Sequence, residues 1–504
     1  GVSEPTAIDP YNAQESEGIL VTQQLFTGLV QLNNDNQQLE PGVASKWDKN
    51  ADCTEWTFNL TPGTKFSNGE VVTAKSFIAG WTRAADQKAA SDVSYHMGGI
   101  AGYAELNGGK AKDFTGVTAP DDNTLVVKLS AADCEFDKKT IQTVFSPVPS
   151  DAGAADNKTF NDLPIGNGPF KLKEPWQHDK SMTMVRNDDY FGTKANLDEV
   201  DVTITGDAGI DLEYKNFKAG QFDWSRVPPA LLPEADKTQT PKGNFIKQVM
   251  YGINYILPMT FDGPTKSADA RKAISYAIDR DAIIKGVFKG YQTKATSFVP
   301  STFKAYAQEG VCTACTFDLA KAKELAAKSG LTPGTKLYFG FNTGGGHEAW
   351  TQAVAQQLKE NLGLDVTLEG IPFKELLAKE TKPTSTGIFR AAWGADYPTP
   401  DNFLFPLLSK KSINPDAKGV VQGDNRGRYD NPAFDALLVK ERAAKTEEER
   451  VPIIKEAEKL AIDTDQAVIP LWYRTQYRVF DSSKWDGVKM DFFENPTLAT
   501  ISQK

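Results

Sequence analysis

The spacing of hydrophobic positions along the chain changes several times, and each change marks an element. In CTEWTFNL, Trp56, Phe58 and Leu60 alternate with polar residues, the period of a half-buried strand. The turn dipeptides Pro62-Gly63 and Asn68-Gly69 follow. Thr73 then stands as an N-cap before the amphipathic segment AKSFIAGWTRAAD. Earlier, LVTQQLFTGLVQL reads as helical and then extended. After about residue 149 the texture loosens, and only MTMVRN and EVDVTIT read as strands there. From about residue 253 a second large region begins, with ADARKAISYAIDRDAIIKGVF as a pair of amphipathic helices. TKLYFGFNTGGGHEAWTQAVAQQLKENLGLDVTLEGI reads as strand, glycine loop, helix, strand, a βαβ unit that implies a parallel sheet. GIFRAAW is strand-like, EEERVPIIKEAEKLAIDTD is helical and QAVIPLWYRTQYRVF is a strand run. Strands and helices mix throughout with no internal repeat. The class is therefore α/β or α+β, with more than one lobe.

Composition narrows the function more than the fold. A chain of 504 residues suggests roughly two to four domains. With 40% hydrophobic and 24% charged residues it has ample material for large cores. A formal net charge of −10 and no Lys/Arg-rich run exclude a general nucleic-acid binder. No apolar run approaches the ~18 to 20 residues of a membrane span. The first residues, GVSEPTAIDPYN, are polar and unlike a signal peptide, which leaves the compartment to the cysteines.

There are four cysteines: Cys53, Cys134, Cys312 and Cys315. Cys53 opens one strand-like run and Cys134 closes another, NTLVVKLSAADC. If those strands pair antiparallel, the start of one lies beside the end of the other, and a Cys53–Cys134 disulfide is natural. Cys312 and Cys315 form a CxxC in VCTACTF. A redox dithiol needs a thioredoxin-like context and a zinc site needs two further ligands. Neither is evident nearby, so a local structural disulfide is expected. An even count without a spare thiol fits an extracytoplasmic protein.

Enzyme signatures are poor. The three histidines, His96, His178 and His347, are scattered, GxSxG is absent, and His347-Glu348 lacks the second histidine of HExxH. Two stretches suggest binding instead. FNTGGGHEAW places glycines before a helix, where backbone N–H groups receive anions. It lacks the GK[ST] of a nucleotide loop, and a plain tight turn with an exposed His347 explains it equally well. WGADYPTPDNF sets Asp396 between Trp393 and Tyr397 in a proline-stiffened loop. The bland reading makes the aromatics core residues and Asp401 a helix cap. The sharper reading is a small-molecule pocket, whose aromatics bury a ligand while one carboxylate pairs with its cationic end.

Taken in order, AIDPYNAQES, LFTGLVQL, GVASKWDKN…WTFNLTPGTKFSNGEVVTAKSFIAGWTRA, GNGPFKL, DARKAISYAIDRDAIIKGVF, NTGGGH, ADYPTPDNF, YDNPAFDALL and IPLWYRTQYRVF run nearly the whole chain. Together they resemble extracytoplasmic solute-binding proteins of family 5, the peptide/nickel type, which serve ABC importers. That resemblance implies a two-lobed α/β periplasmic-binding-protein-like fold of cluster C, with an extra subdomain in the first lobe and two crossover hinge strands. Residues 1–37 would begin lobe I, 38–148 form the subdomain, 149–252 continue lobe I, 253–471 form lobe II, and 472–504 return to lobe I. The crossovers would lie near Tyr251 to Tyr255 and Leu471 to Tyr477.

The resemblance also implies a site and partners. Asp396 matches the acid that pairs with a peptide α-ammonium group. The strand through Trp393, Gly394 and Ala395 would bond the peptide main chain, and Tyr397 follows. Arg390 and His347 match positions that receive ligand carboxylates. Phe373 matches an aromatic that lines a side-chain pocket. A strand near Gln14 to Ser16 would bring Glu15 and Ser16 to the ligand. Met97 falls where oligopeptide binders often carry a tyrosine, and Gly394 where some relatives have a cysteine. The expected partners are a short peptide and permease subunits. A lipid anchor outside the quoted chain, a monomeric state and closure of the lobes over the ligand are also expected. No catalytic residue, cofactor or metal is expected, because the few histidines do not cluster. An oligosaccharide or other specialised small molecule is the alternative ligand, one that would not need Asp396.

Overall fold

The computed structural model describes residues 1–206, 209–343 and 345–504, so Gly344 of the glycine loop lies outside the described residues. The chain divides into two compact units. The first comprises Gly1–Lys247, Asp396–Pro398 and Tyr477–Lys504; the second comprises Gln248–Ala395 and Thr399–Gln476.

In the first unit, Glu55–Leu60 alternates between half-buried and buried residues, as its period demands. It lies inside a four-stranded antiparallel sheet, ordered Ala44–Lys49, Glu55–Leu60, Thr124–Lys128, Val117–Asp121. The helix Ala74–Ala85 begins after Thr73, whose N–H donates to Ser76 Oγ at 3.2 Å. Its Phe77 and Trp81 join Trp56, Phe58, Leu125 and Val127 in one core. Glu55 stands opposite Lys128, so Cys53 and Cys134, just outside the paired segments, meet in a disulfide. Phe170–Leu172, Ser181–Arg186 and Glu199–Thr203 form a second antiparallel sheet with its own core.

The helix Ser16–Leu25 packs on that second core and corrects one expectation. Gln14 to Ser16 is not a strand. Glu15 is the N-cap and Ser16 the first helical residue. A helix gathers Leu20, Val21 and Leu25 onto one buried face, whereas a strand would split them between two. The Glu15 carboxylate turns back to accept the Thr6 N–H.

Two long strands, Phe245–Pro258 and Ile469–Phe480, carry the chain between the units. In the second unit the sheet order is Ile469–Phe480, Phe245–Pro258, Ile388–Gly394, Lys336–Asn342, Asp365–Ile371. The expected βαβ unit is present. Lys336–Asn342 pairs in parallel with Asp365–Ile371, and the helix Glu348–Leu362 connects them. That helix buries Trp350, Val354 and Leu358 against Leu337, Phe339 and Ile388. Tyr255, Phe298, Phe389 and Phe403 fill a separate core. Cys312 and Cys315 form their local disulfide, both residues buried. No free cysteine remains among the described residues.

Candidate ligand-binding site

The strand Ile388–Gly394 organises the site. On one side it pairs antiparallel with Phe245–Pro258 over its whole length, Gly252 facing Gly394 and Pro258 facing Ile388. On the other side the parallel strand Lys336–Asn342 reaches only Phe389. Among the described residues, Arg390 to Gly394 therefore has no strand along that edge. The ladder phase says which groups are left open. Ala395 N–H donates to Tyr251 O at 2.7 Å, so the odd-numbered residues bond the antiparallel neighbour. The N–H and C=O groups of Ala392 and Gly394 point to the open edge.

Arg390 stands where the parallel neighbour ends. Its Nη1 donates to Asn342 Oδ1 at 3.3 Å, and its Nε is buried without a partner. Among the described residues it makes no ion pair. Burial, reinforced by the charge of Arg474, pushes the guanidinium down to about 10, with Tyr255 and Glu380 opposing. A cation held this way favours an anion.

His347 is the N-cap residue of Glu348–Leu362. The Trp350 indole N–H donates to His347 Nδ1 at 3.2 Å, so the neutral ring carries its proton on Nε2. Burial, and then the charge of Arg390, pushes His347 down to about 3. It is thus a neutral hydrogen-bond donor at ordinary pH. A β-carbon at Gly345 would stand 2.5 Å from His347 Nε2 and 2.9 Å from Asn342 Nδ2, so a glycine there lets the ring fold back. Arg390, Asn342 and His347 form one carboxylate-compatible group.

The remaining expected residues distribute differently. Trp393 is half-buried and donates from Nε1 to Asn402 Oδ1 at 3.1 Å. Phe373 opens the helix Phe373–Glu380 and is 53% exposed, a free aromatic face. Asp401 does not cap its helix; Pro400 holds that place, and Asp401 pairs with Arg442 at 2.9 Å. Asp396 to Pro398 group with the first unit, where the Asp396 carbonyl accepts from Gln142 Nε2 and the buried Tyr397 ring meets His96 edge-on at 6.5 Å. The Asp396 side chain is half-buried. Met97 has no exposed surface and lies in the subdomain core with Phe77 and Trp81, so it offers a ligand no face. Glu15 and Ser16 belong to a helix start rather than to a binding strand.

Asn342, Gln142 and Arg474 escaped the sequence reading. Only strand register brings the first and last of them to Arg390 and Gly394. A groove of about 630 Å³ lies elsewhere on the second unit, lined by Tyr338, Glu369, Lys379 and Ser385 among others. Lys379 and the Tyr338 hydroxyl both donate to Glu369 there, at 2.6 Å each, and no residue of the site lines it. Among the described residues no His/Cys/Asp/Glu group has metal-site geometry, and no helix is long and apolar enough to cross a membrane.

An open-edged strand with a carboxylate-compatible group at one end suits an extended ligand carrying a terminal carboxylate. Known proteins resemble the chain along nearly its whole length. The chain is 31% identical to the oligopeptide-binding protein OppA of Bacillus subtilis over 495 residues, 95% of this chain and 88% of the relative. It is 30% identical to the periplasmic oligopeptide-binding protein OppA of Salmonella typhimurium, over 95% of this chain and 87% of the relative. Among solved structures, the unliganded open form of the periplasmic murein tripeptide-binding protein MppA superposes with a TM-score of 0.79 at 27% identity. That match covers 99% of this chain and 96% of the other. These relatives are named as binding proteins, not as enzymes. The profile of the "bacterial extracellular solute-binding proteins, family 5 Middle" matches residues 38–415. With that match covering most of the chain and a relative 31% identical over 95% of it, the chain belongs to the bacterial extracellular solute-binding proteins of family 5.

Proposed function

We propose that this protein is the substrate-binding component of an ABC importer and that it binds short peptides. The observation that carries this reading is the edge of Arg390 to Gly394, which among the described residues has neither a pairing strand nor an acid beside the Arg390 guanidinium. A peptide laid along that edge bonds the N–H and C=O groups of Ala392 and Gly394 whatever its side chains, which is strand addition. Its C-terminal carboxylate goes to Arg390, with His347 Nε2–H and Asn342 in support. Its α-ammonium group goes to Asp396, two residues beyond the strand. Both termini then keep a partner after losing water, which burial of a zwitterion requires. Phe373 and Trp393 provide aromatic surface for ligand side chains. Closure of the two lobes on the ligand, recognition by a permease and a lipid anchor complete the role.

Mass spectrometry of the cargo released by denaturing freshly purified protein tests this. Short peptides sharing a length support the reading and give the pocket size. A single non-peptide mass, an oligosaccharide for instance, refutes it and makes Asp396 a contact for some other polar group.

A further inference from the structure

The indole of Trp350 is 3% exposed and sits in a core of the second unit, edge-on to Trp472 at 5.2 Å and tilted against Phe339 at 6.2 Å. Its Nε1 donates to His347 Nδ1 at 3.2 Å, the one hydrogen bond the indole makes among the described residues. Residues three apart meet on one helix face, and Trp350 stands three after His347. Thr351 holds the same histidine by its backbone, since Thr351 N–H and Oγ1 donate to His347 O at 3.0 and 2.8 Å. The imidazole is thus fixed at both its carbonyl and its Nδ1.

An indole N–H can only donate, and this has two effects on the ring. It occupies the Nδ1 lone pair, so the neutral imidazole carries its proton on Nε2. It also opposes protonation, because an imidazolium would turn a second N–H toward the indole N–H. The charged group that faces the ring is Arg390, on the strand Ile388–Gly394, and it acts in the same sense. Asn342, from the strand Lys336–Asn342, is uncharged, and Glu348, next on the helix, is exposed. His347 Nε2 has no partner among the described residues. It and Asn342 Nδ2 stand 2.5 and 2.9 Å from one point, the place a β-carbon on Gly345 would take.

We propose that Trp350 is a positioning residue for ligand binding: it holds His347 as a neutral Nε2–H donor, so that a C-terminal carboxylate is taken with Arg390 supplying the charge and without uptake of a proton. The inference rests on the peptide reading above and needs only its carboxylate end, which lies within the second unit. An unconstrained histidine titrates near ~6.5 and gains a proton more readily beside a carboxylate. Affinity would then climb as the pH falls. With Trp350 in place it stays level.

Two measurements on the full chain, freed of cargo, test this. Two-bond 1H–15N correlation spectra of the histidine rings at pH 6 and 7, assigned with His347→Gln, should show wild-type His347 protonated on Nε2 alone. Isothermal titration calorimetry with tri-, tetra- and penta-alanine at pH 7.5 and 5.5, in buffers of different ionisation enthalpy, should give wild-type affinities within about twofold and no proton uptake. Trp350→Phe keeps an aromatic ring and loses the donor. It should bind about fivefold or more tightly at pH 5.5 than at pH 7.5, with a proton taken up. Adding His347→Gln to that variant should abolish the new pH dependence. Wild-type His347 protonated on Nδ1, or charged at pH 6, overturns the proposal even where Trp350→Phe fails to fold. A Trp350→Phe affinity as level with pH as that of wild type overturns it too. In both cases the peptide reading stands, because the alanine peptides bind. If none of them binds, the peptide reading falls and this inference with it.

Discussion

Replacing Arg390 by methionine should make the unliganded protein more stable and its ligand binding weaker. Arg390 is half-buried and, among the described residues, keeps one hydrogen bond, to Asn342, and leaves its buried Nε unpartnered. Burial, with the Arg474 charge adding to it, lowers its pKa well below the ordinary arginine value, to about 10. At ~1.4 kcal/mol per pKa unit, a lowering of that size disfavours the charged form in the folded state by about 3–4 kcal/mol. The sign follows from the lowered pKa of a base: the folded state disfavours the charged form, so the cost is present at every pH below about 10. A methionine of similar length removes the charge and fills the space. Buried ion pairs replaced by apolar groups have given gains of about 1–4 kcal/mol, and a gain of about 2 kcal/mol is expected for this unpaired cation. Binding should change in the opposite sense. A hydrogen bond between a carboxylate and a charged partner contributes about 1.5–3 kcal/mol, so affinity should fall by roughly 10- to 150-fold. Urea unfolding at pH 7, followed by circular dichroism with and without saturating peptide, reads both effects. The variant's midpoint should begin higher and rise less on adding peptide. A variant that is less stable than wild type when empty, yet equally stabilised by peptide, would refute the reasoning that this cation is held in reserve for an anion.

Asp396→Ala should lower affinity by about 100-fold for peptides with a free N-terminus, from loss of a charge-assisted bond, while N-acetylated peptides lose far less; equal losses would dismiss Asp396 as the ammonium partner. Glu458 accepts the Phe298 and Val299 N–H groups at 2.8 Å each, yet burial pushes it up to about 7 from 4.5. A raised acid adds stability that is fully present below about pH 4.5 and is lost as the pH rises through about 7, about 3 kcal/mol in all. Glu458→Gln should flatten that part of the stability–pH profile, and an unchanged profile between pH 5 and 8 would count against it. The two disulfides should matter unequally. Cys53–Cys134 spans 81 positions and its loss should cost about 4–5 kcal/mol by loop entropy, against about 1–2 kcal/mol for Cys312–Cys315, which spans 3. Denaturant unfolding of the two double-serine variants compares them, and equal losses would show that loop closure is not the main term.

What the linear chain determined was everything that depends on near neighbours. Alternation around Trp56 and Phe58, the Thr73 cap and the strand–loop–helix–strand run from residue 336 to 371 were legible because side-chain period and capping chemistry are local. The Cys53–Cys134 pairing was legible because one antiparallel register sufficed to predict it. Tertiary structure decided the rest. Nothing in GIFRAAW announces that its parallel neighbour stops at Phe389, leaving Arg390 to Gly394 with an open edge. Met97 looks like a ligand position in line but is enclosed by aromatic residues brought from elsewhere in the subdomain. Glu15 and Ser16 joined a helix because Leu20, Val21 and Leu25 had a core to cover. Arg474 reaches Gly394, 80 positions away in sequence (474 − 394), only because register places Gly252 and Gly394 face to face beneath it. Periodicity says which face of a strand is apolar; only the pairing of distant strands says which edge is left open and which side chain lies across it.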